Sequence, residues 1–192
     1  EMLTCLKLRP AGAIVRSVQS EFMVYDHTPH APFTPVIETI DSSDPFLTKH
    51  PYEIIEEGGL ADVPWITSIV TTEGIFPGGI YLSHSDFLET INSKWLEFAP
   101  HVYEYNFTIP SESREKVAMK IKEKYLEGED LSKENIGKFL DSLSDRHFKI
   151  CMEKTVRFQL PSEKEPTYVY EFGYLGETSL GNKFWDPEEN YG

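Results

Sequence analysis

Two stretches with strand character bracket a long helical block, and that order leaves the chain few folds to choose from. Ile66 to Thr72 is a short run rich in β-branched residues, the composition of a buried strand. Pro64 suits the entrance of such a strand, where a missing N–H costs little. Thr167 to Leu175 reads TYVYEFGYL, with Tyr168, Tyr170, Phe172 and Tyr174 alternating with Val169, Glu171 and Gly173. It is the clearest strand in the chain. A strand, a block of helices and a second strand predict a parallel pair joined by a right-handed crossover. The expected class is therefore α/β, with the helices packed over one side or end of a mostly parallel sheet.

The block itself is legible. Ser83-His84-Ser85-Asp86 fits a capping box, and Phe87, Leu88, Ile91, Trp95 and Phe98 repeat at helical spacing until Pro100 ends the run. A second helix is expected over Ser113 to Leu126, with Gly128 as its stop. A third begins at Ser132 and carries Ile136, Phe139, Leu140 and Leu143 on one stripe. A fourth runs from Asp145 to Phe158. These apolar stripes read as core and are assigned no chemistry.

Upstream, Thr4 to Gln19 reads as helix interrupted near Pro10 and Gly12. Pro29, Pro32 and Pro35 make Thr28 to Pro35 an extended loop, and Val36 to Ile40 can form a short strand. Gly58-Gly59 reads as a turn into the Asp62 segment. The chain opens with Glu1 and shows no charged-then-apolar signal region, so processing or truncation is expected to have made this N-terminus.

Composition narrows the function classes. A 192-residue chain, 40% hydrophobic, can build one domain with a real core. Its net charge of −14, with no run of Lys and Arg, offers nucleic acid no phosphate-binding face. No apolar stretch approaches the roughly 20 residues needed to span a bilayer. Cys5 and Cys151 are too few for a disulfide framework or a thiolate zinc cluster, and read as buried free thiols. Asp26, His27 and His30 hint at a metal, but Pro29 lies inside the spacing and no regular structure would bring the two rings together. No metal or cofactor is expected. Asn106-Phe107-Thr108 is a glycosylation acceptor if the chain is secreted.

One carboxylate stands where open α/β sheets keep their chemistry, at the carboxyl end of a strand. It is Glu73, followed at once by Gly74, which can take the positive φ of a sharp turn. On the local pattern alone, a solvated turn glutamate is the simpler reading. A catalytic serine is not found. Gly176, Ser179 and Gly181 come near a nucleophile elbow, but the spacing is one residue too long and no helix follows.

Several short stretches, in order, carry a resemblance. They are Cys5-Leu6, Pro32-Phe33, Pro35-Val36-Ile37-Glu38, Phe46-Leu47, Asp62-Val63-Pro64-Trp65-Ile66, Glu73-Gly74, Asp145-Arg146 with Phe148, and Tyr170-Glu171-Phe172 leading to Gly176. Together they resemble the C-terminal half of a type-B carboxylesterase, of the insect carboxylesterase and juvenile-hormone-esterase kind. The resemblance implies that residues 1–192 form part of an α/β-hydrolase domain, without its N-terminal half and its extreme C-terminal part. It implies a serine, glutamate and histidine triad in that chain order, with Glu73 as the acid. The family's serine and oxyanion glycines lie upstream of the Cys5-Leu6 match, and its histidine beyond Tyr191-Gly192. It also implies that Phe76 is an aromatic wall for a small apolar ester. None of the six histidines follows the last strand, so none replaces the missing one by chain order.

Three functional expectations follow. The first is part of a secreted ester hydrolase that is active when intact and inactive as this piece, its partner being the remainder of its own polypeptide. The second is a non-catalytic adhesion or ligand-binding relative, against which Glu73 argues. The third is an unrelated α/β binding domain, favoured only if the two strands are not neighbours.

Overall fold

The computed structural model describes residues 2–25, 28–38, 43–82, 85–161 and 164–177. Pro10 interrupts the first helix as expected: α1 (Met2–Lys7) stops short of it, and Pro10 then precedes α2 (Ala11–Phe22). The proline-rich loop follows and holds a cis Thr28–Pro29 bond. Val36 to Glu38 is not a strand. Instead the Glu38 carboxylate accepts from the amides of Phe46 (2.7 Å) and Leu47 (3.0 Å), which folds this segment on itself. The rest of that expected strand, 39–40, lies outside the described residues. In α3 (Pro51–Glu56), His50 Nδ1 accepts from the Tyr52 amide and the Glu53 carboxylate accepts from the His50 amide, a reciprocal cap. Gly58 then takes a φ of 71°, which ends the turn.

β1 (Trp65–Val70) and β2 (Thr167–Phe172) pair in parallel, in register from Trp65↔Thr167 to Val70↔Phe172. The predicted adjacency is therefore observed, and the third expectation loses its condition. Both strands are shorter than their sequence patterns. Thr71 adds one further bond, donating to the Phe172 carbonyl at 3.3 Å, and Gly173 to Leu175 carry no ladder. The expectation that β1 is buried needs correction. It alternates half-buried and exposed, with Ile66 65% accessible, and Tyr168, Tyr170 and Phe172 of β2 are likewise open. The half-buried side of β1 carries Trp65, Thr67 and Ile69. The helical body joins β1 through the turn at Glu73 and leads into β2 after α9 (Ile150–Gln159), whose Gln159 lines a cleft with Trp65 at the other end of the pair.

That body comprises α4 (Ile75–Leu82), α5 (Ser85–Ser93), α6 (Trp95–Val102), α7 (Ser111–Leu126), α8 (Ile136–Ser144), a π-helical turn (Asp145–Lys149) and α9 (Ile150–Gln159). Its core holds Tyr81, Ile91, Trp95, Phe98, Val102, Phe139, Leu140 and Leu143, mostly the residues whose helical spacing marked them. Two buried polar contacts here tie separate elements together. Trp95 Nε1 donates to the Ala118 carbonyl at 2.9 Å, and the hydroxyls of Tyr103 and Ser142 meet at 2.6 Å.

The helix ends depart from expectation in three places. Pro100 does not end a helix; it lies inside α6 and is buried, and its carbonyl accepts from Tyr105 and Asn106. The stop comes later, where Glu104 turns left-handed at φ 50°. α8 begins at Ile136 rather than Ser132, because the Asn135 side chain accepts from the Ser132 amide and donates to the Asp130 carbonyl, closing a turn instead. α7 starts two residues early and ends at a left-handed Glu127 followed by Gly128 at φ 82°, so the glycine stop holds. Ser83 and His84, half of the expected capping box, lie outside the described residues. The two thiols are exposed, not buried: Cys5 sits on α1 and Cys151 on the outer face of α9.

Candidate active site

Glu73 occupies the turn between β1 and α4. Its own carbonyl accepts from Phe76 (3.1 Å), while the Gly74 carbonyl accepts from Gly78 (2.8 Å), so the turn runs directly into the helix. The side chain folds back along the strand, and Oε1 accepts from the Val70 amide at 2.8 Å. On the β2 side the amides of Trp65 and Thr71 donate across the ladder, to Pro166 and Phe172. By the alternation of a strand, the Val70 amide therefore faces the other edge. The carboxylate is thus fixed by one oxygen, half-buried, at the start of a helix whose dipole favours a negative charge. The second oxygen, Oε2, retains the capacity to take another donor.

Gly74 is needed for space rather than for φ, which corrects the sequence expectation. Its backbone is not left-handed; the described glycines with positive φ are Gly58 and Gly128. A Cβ at 74 would instead overlap the backbone carbonyl oxygen of Leu140 and approach the Ser144 nitrogen to 2.8 Å. The last turn of α8 lies directly on this glycine. The Gly74 amide donates to Ser144 Oγ at 2.7 Å, and that hydroxyl in turn donates to the Leu140 carbonyl at 2.9 Å. Ser144 is fully buried. Sequence reasoning missed it, although it immediately precedes the Asp145-Arg146 stretch that carries part of the resemblance.

The π-helical turn after Ser144 supplies the next layer. His147 Nε2 donates to the Val102 carbonyl at 2.8 Å, which assigns its proton to that nitrogen. Arg146 donates to the carbonyls of Tyr103 (2.8 Å) and Glu104 (3.3 Å). These bonds satisfy the free carbonyls at the end of α6. The Glu104 carboxylate accepts from the His30 amide, and the His30 ring meets His147 edge-on at 5.6 Å. Phe76 lies 6.5 Å from the His30 ring and is 67% accessible, so its face is open beside the Glu73 turn. Asp26 and His27 lie outside the described residues. Among the described residues no cluster of His, Cys, Asp or Glu is placed to hold a metal, and no helix is long and apolar enough to cross a membrane. Ser179 and Gly181 also fall outside the described residues.

Burial holds the imidazole of His147 below its ordinary value, and the His30 ring and Arg146 push the same way against the Val102 carbonyl and Glu104. Burial, and then Arg114, do likewise for His101. An unfolded imidazole protonates near pH 6.5, and these folded ones only at lower pH. Just below 6.5 the unfolded state therefore binds more protons, so stability falls as the pH drops through that window. Thermal midpoints of the intact protein should decline between about pH 7.5 and about pH 5.5. His147→Gln should flatten that decline; an unchanged slope would remove His147 from the account.

Asn106 stands in the turn after α6 and is half-buried, with Nδ2 3.4 Å from His101 Nδ1, while the neighbouring Phe107 is 91% accessible. The cleft lined by Leu60, Val63, Trp65 and Gln159 opens at the amino end of β1, the opposite end from Glu73.

A carboxylate pinned on the turn from a parallel strand into a helix defines the class as an α/β site at a strand's carboxyl end. The chain belongs to the carboxylesterase family, whose model matches residues 1–190. It is 36% identical over 180 residues to venom carboxylesterase-6 of Apis mellifera, covering 94% of this chain and 32% of that protein. It is 33% identical to esterase E4 of Myzus persicae over 189 residues, or 98% of this chain and 33% of the relative. A carboxylic ester hydrolase of Bombus ignitus is 30% identical over 174 residues, 91% of this chain and 30% of its own length. The chain thus spans about a third of the length of the curated relatives it matches.

Proposed function

We propose that this chain is part of a carboxylic ester hydrolase of partial α/β-hydrolase fold, working through a serine, glutamate and histidine triad in which Glu73 is the acid. The observation that carries the reading is the Glu73 carboxylate fixed to the Val70 amide at the carboxyl end of β1, in a chain of the carboxylesterase family. The serine and histidine come from the rest of the polypeptide. In the reaction the histidine takes the serine proton as the hydroxyl attacks the ester carbonyl, then gives it to the departing alcohol. Water repeats the sequence and releases the acid. Through all of it the Glu73 carboxylate holds one imidazole tautomer and stabilises the imidazolium.

Phe76, the second residue of α4 and three past the acid, supplies an apolar wall for the acyl or alcohol group of a small ester. The parent is a secreted protein, and Asn106, beside the exposed Phe107, is its glycosylation acceptor. A panel of nitrophenyl esters of increasing acyl length tests the assignment. The intact protein should hydrolyse them, and Phe76→Ala should reorder its preference by chain length. A uniform fall on every ester would make Phe76 packing alone; no hydrolysis of any ester would remove the enzymatic reading.

A further inference from the structure

We infer that Ser144 is a positioning residue for the Glu73 acid, an inference that rests on the triad role proposed above. Glu73 is aimed by its own backbone, and that backbone is held on both sides. Its carbonyl accepts from Phe76, and the N–H of the same peptide, that of Gly74, donates to Ser144 Oγ at 2.7 Å. The plane of the Glu73–Gly74 peptide is thereby fixed, and with it the direction in which Cβ leaves the chain. Val70 fixes the far end of the same side chain. Three contacts thus define the carboxylate: one at its oxygen and two at its main chain.

The hydroxyl is chemically suited to this task. Serine donates one hydrogen and accepts on its lone pairs. Ser144 spends its hydrogen on the Leu140 carbonyl, within its own helix, which turns the lone pairs toward Gly74. The donor and acceptor roles leave no ambiguity, because an amide can only donate. The contact is fully buried, so water cannot replace the hydroxyl. It also joins segments seventy residues apart, tying the acid turn to the end of α8. The missing Cβ of Gly74 is what lets α8 approach closely enough for the bond.

The test uses the full-length esterase carrying this segment, with Ser144→Ala, Ser144→Thr and Glu73→Gln beside the wild type. The readout is kcat and KM for a short-chain nitrophenyl ester across pH, at equal folded concentration. Ser144→Ala should lower kcat by up to about 100-fold, the scale set by misplacing a group by an ångström, with little change in KM. Its acid limb should move to lower pH, because an imidazole with a displaced carboxylate protonates less readily. Ser144→Thr keeps the hydroxyl and should recover most of kcat. If Ser144→Ala does not fold, Ser144→Cys, a weaker acceptor, should show the same loss and the same shift. Wild-type kcat and pH profile in a folded Ser144→Ala or Ser144→Cys variant, with Glu73→Gln inactive, would overturn the inference and leave the triad intact. A fully active Glu73→Gln would instead remove the triad role itself, and the positioning role with it.

Discussion

Glu73→Gln in a full-length protein containing this segment should fold normally and lose most of its kcat. The amide keeps the shape of the carboxylate and can still accept from the Val70 amide through its oxygen. It cannot supply the negative charge that stabilises an imidazolium, and its NH2 group can select the wrong tautomer. The corresponding change in a serine protease costs about ten-thousandfold, which sets the upper scale. The loss should fall on kcat and kcat/KM together, because the interaction strengthens at the transition state. The companion expectation concerns the 192-residue chain by itself, which should hydrolyse no ester above a denatured control. Equal rates for wild type and Glu73→Gln would take Glu73 out of the triad.

Gly74→Ala should be among the most damaging single-methyl additions in the chain. The added carbon meets backbone atoms of α8, the Leu140 oxygen and the Ser144 nitrogen, rather than a side chain that can swing aside. Either α8 moves away, breaking the Gly74–Ser144 bond, or the turn moves and carries Glu73 with it. A cost of about 3 kcal/mol or more is expected, at the upper end for overpacking. Gly137→Ala, in the same α8, is the control. A Cβ there meets nothing within 4 Å, so the substitution should stabilise by up to about 1 kcal/mol through helix propensity. Thermal or denaturant unfolding of the two variants side by side decides the matter. Similar stability for both would mean that the α8 contact is soft.

The features read correctly from sequence are those encoded locally. Alternation at Tyr168, Tyr170 and Phe172 marked β2, and the β-branched run marked β1. The helical stripe at Phe139, Leu140 and Leu143 marked the inward face of α8. What was not legible depends on contacts between distant segments. The requirement at Gly74 comes from a helix seventy residues away, and no local pattern distinguishes a glycine needed for space from one needed for φ. Ser144 is hidden for the same reason: one hydroxyl among many, until the fold sets it against an amide. Pro100 misled because a proline that removes one helical bond can still lie inside a short, well-packed helix. The burial of β1 was misjudged because its composition states what the strand can cover, and not whether anything among these residues covers it.

The π-helical turn has a consequence for helical phase. α8, the turn and α9 form one unbroken rod, with right-handed helical backbone at Ser144, Asp145, Lys149 and Ile150. In a plain α-helix each residue advances the azimuth by about 100°, so a stripe begun at Phe139 and Leu140 would carry on in step through α9. The wider turn accommodates one extra residue and resets that count by about 100°. Two halves of a single rod can then answer to two different neighbours. α8 presents its stripe to α4 and α7, and α9 presents Phe158 and Lys154 to Tyr52 of α3. Removing one residue between Asp145 and Lys149 would bring the halves back into phase and turn Phe158 off that ring, while Ser144 and the acid turn it holds, lying upstream, would keep their azimuth.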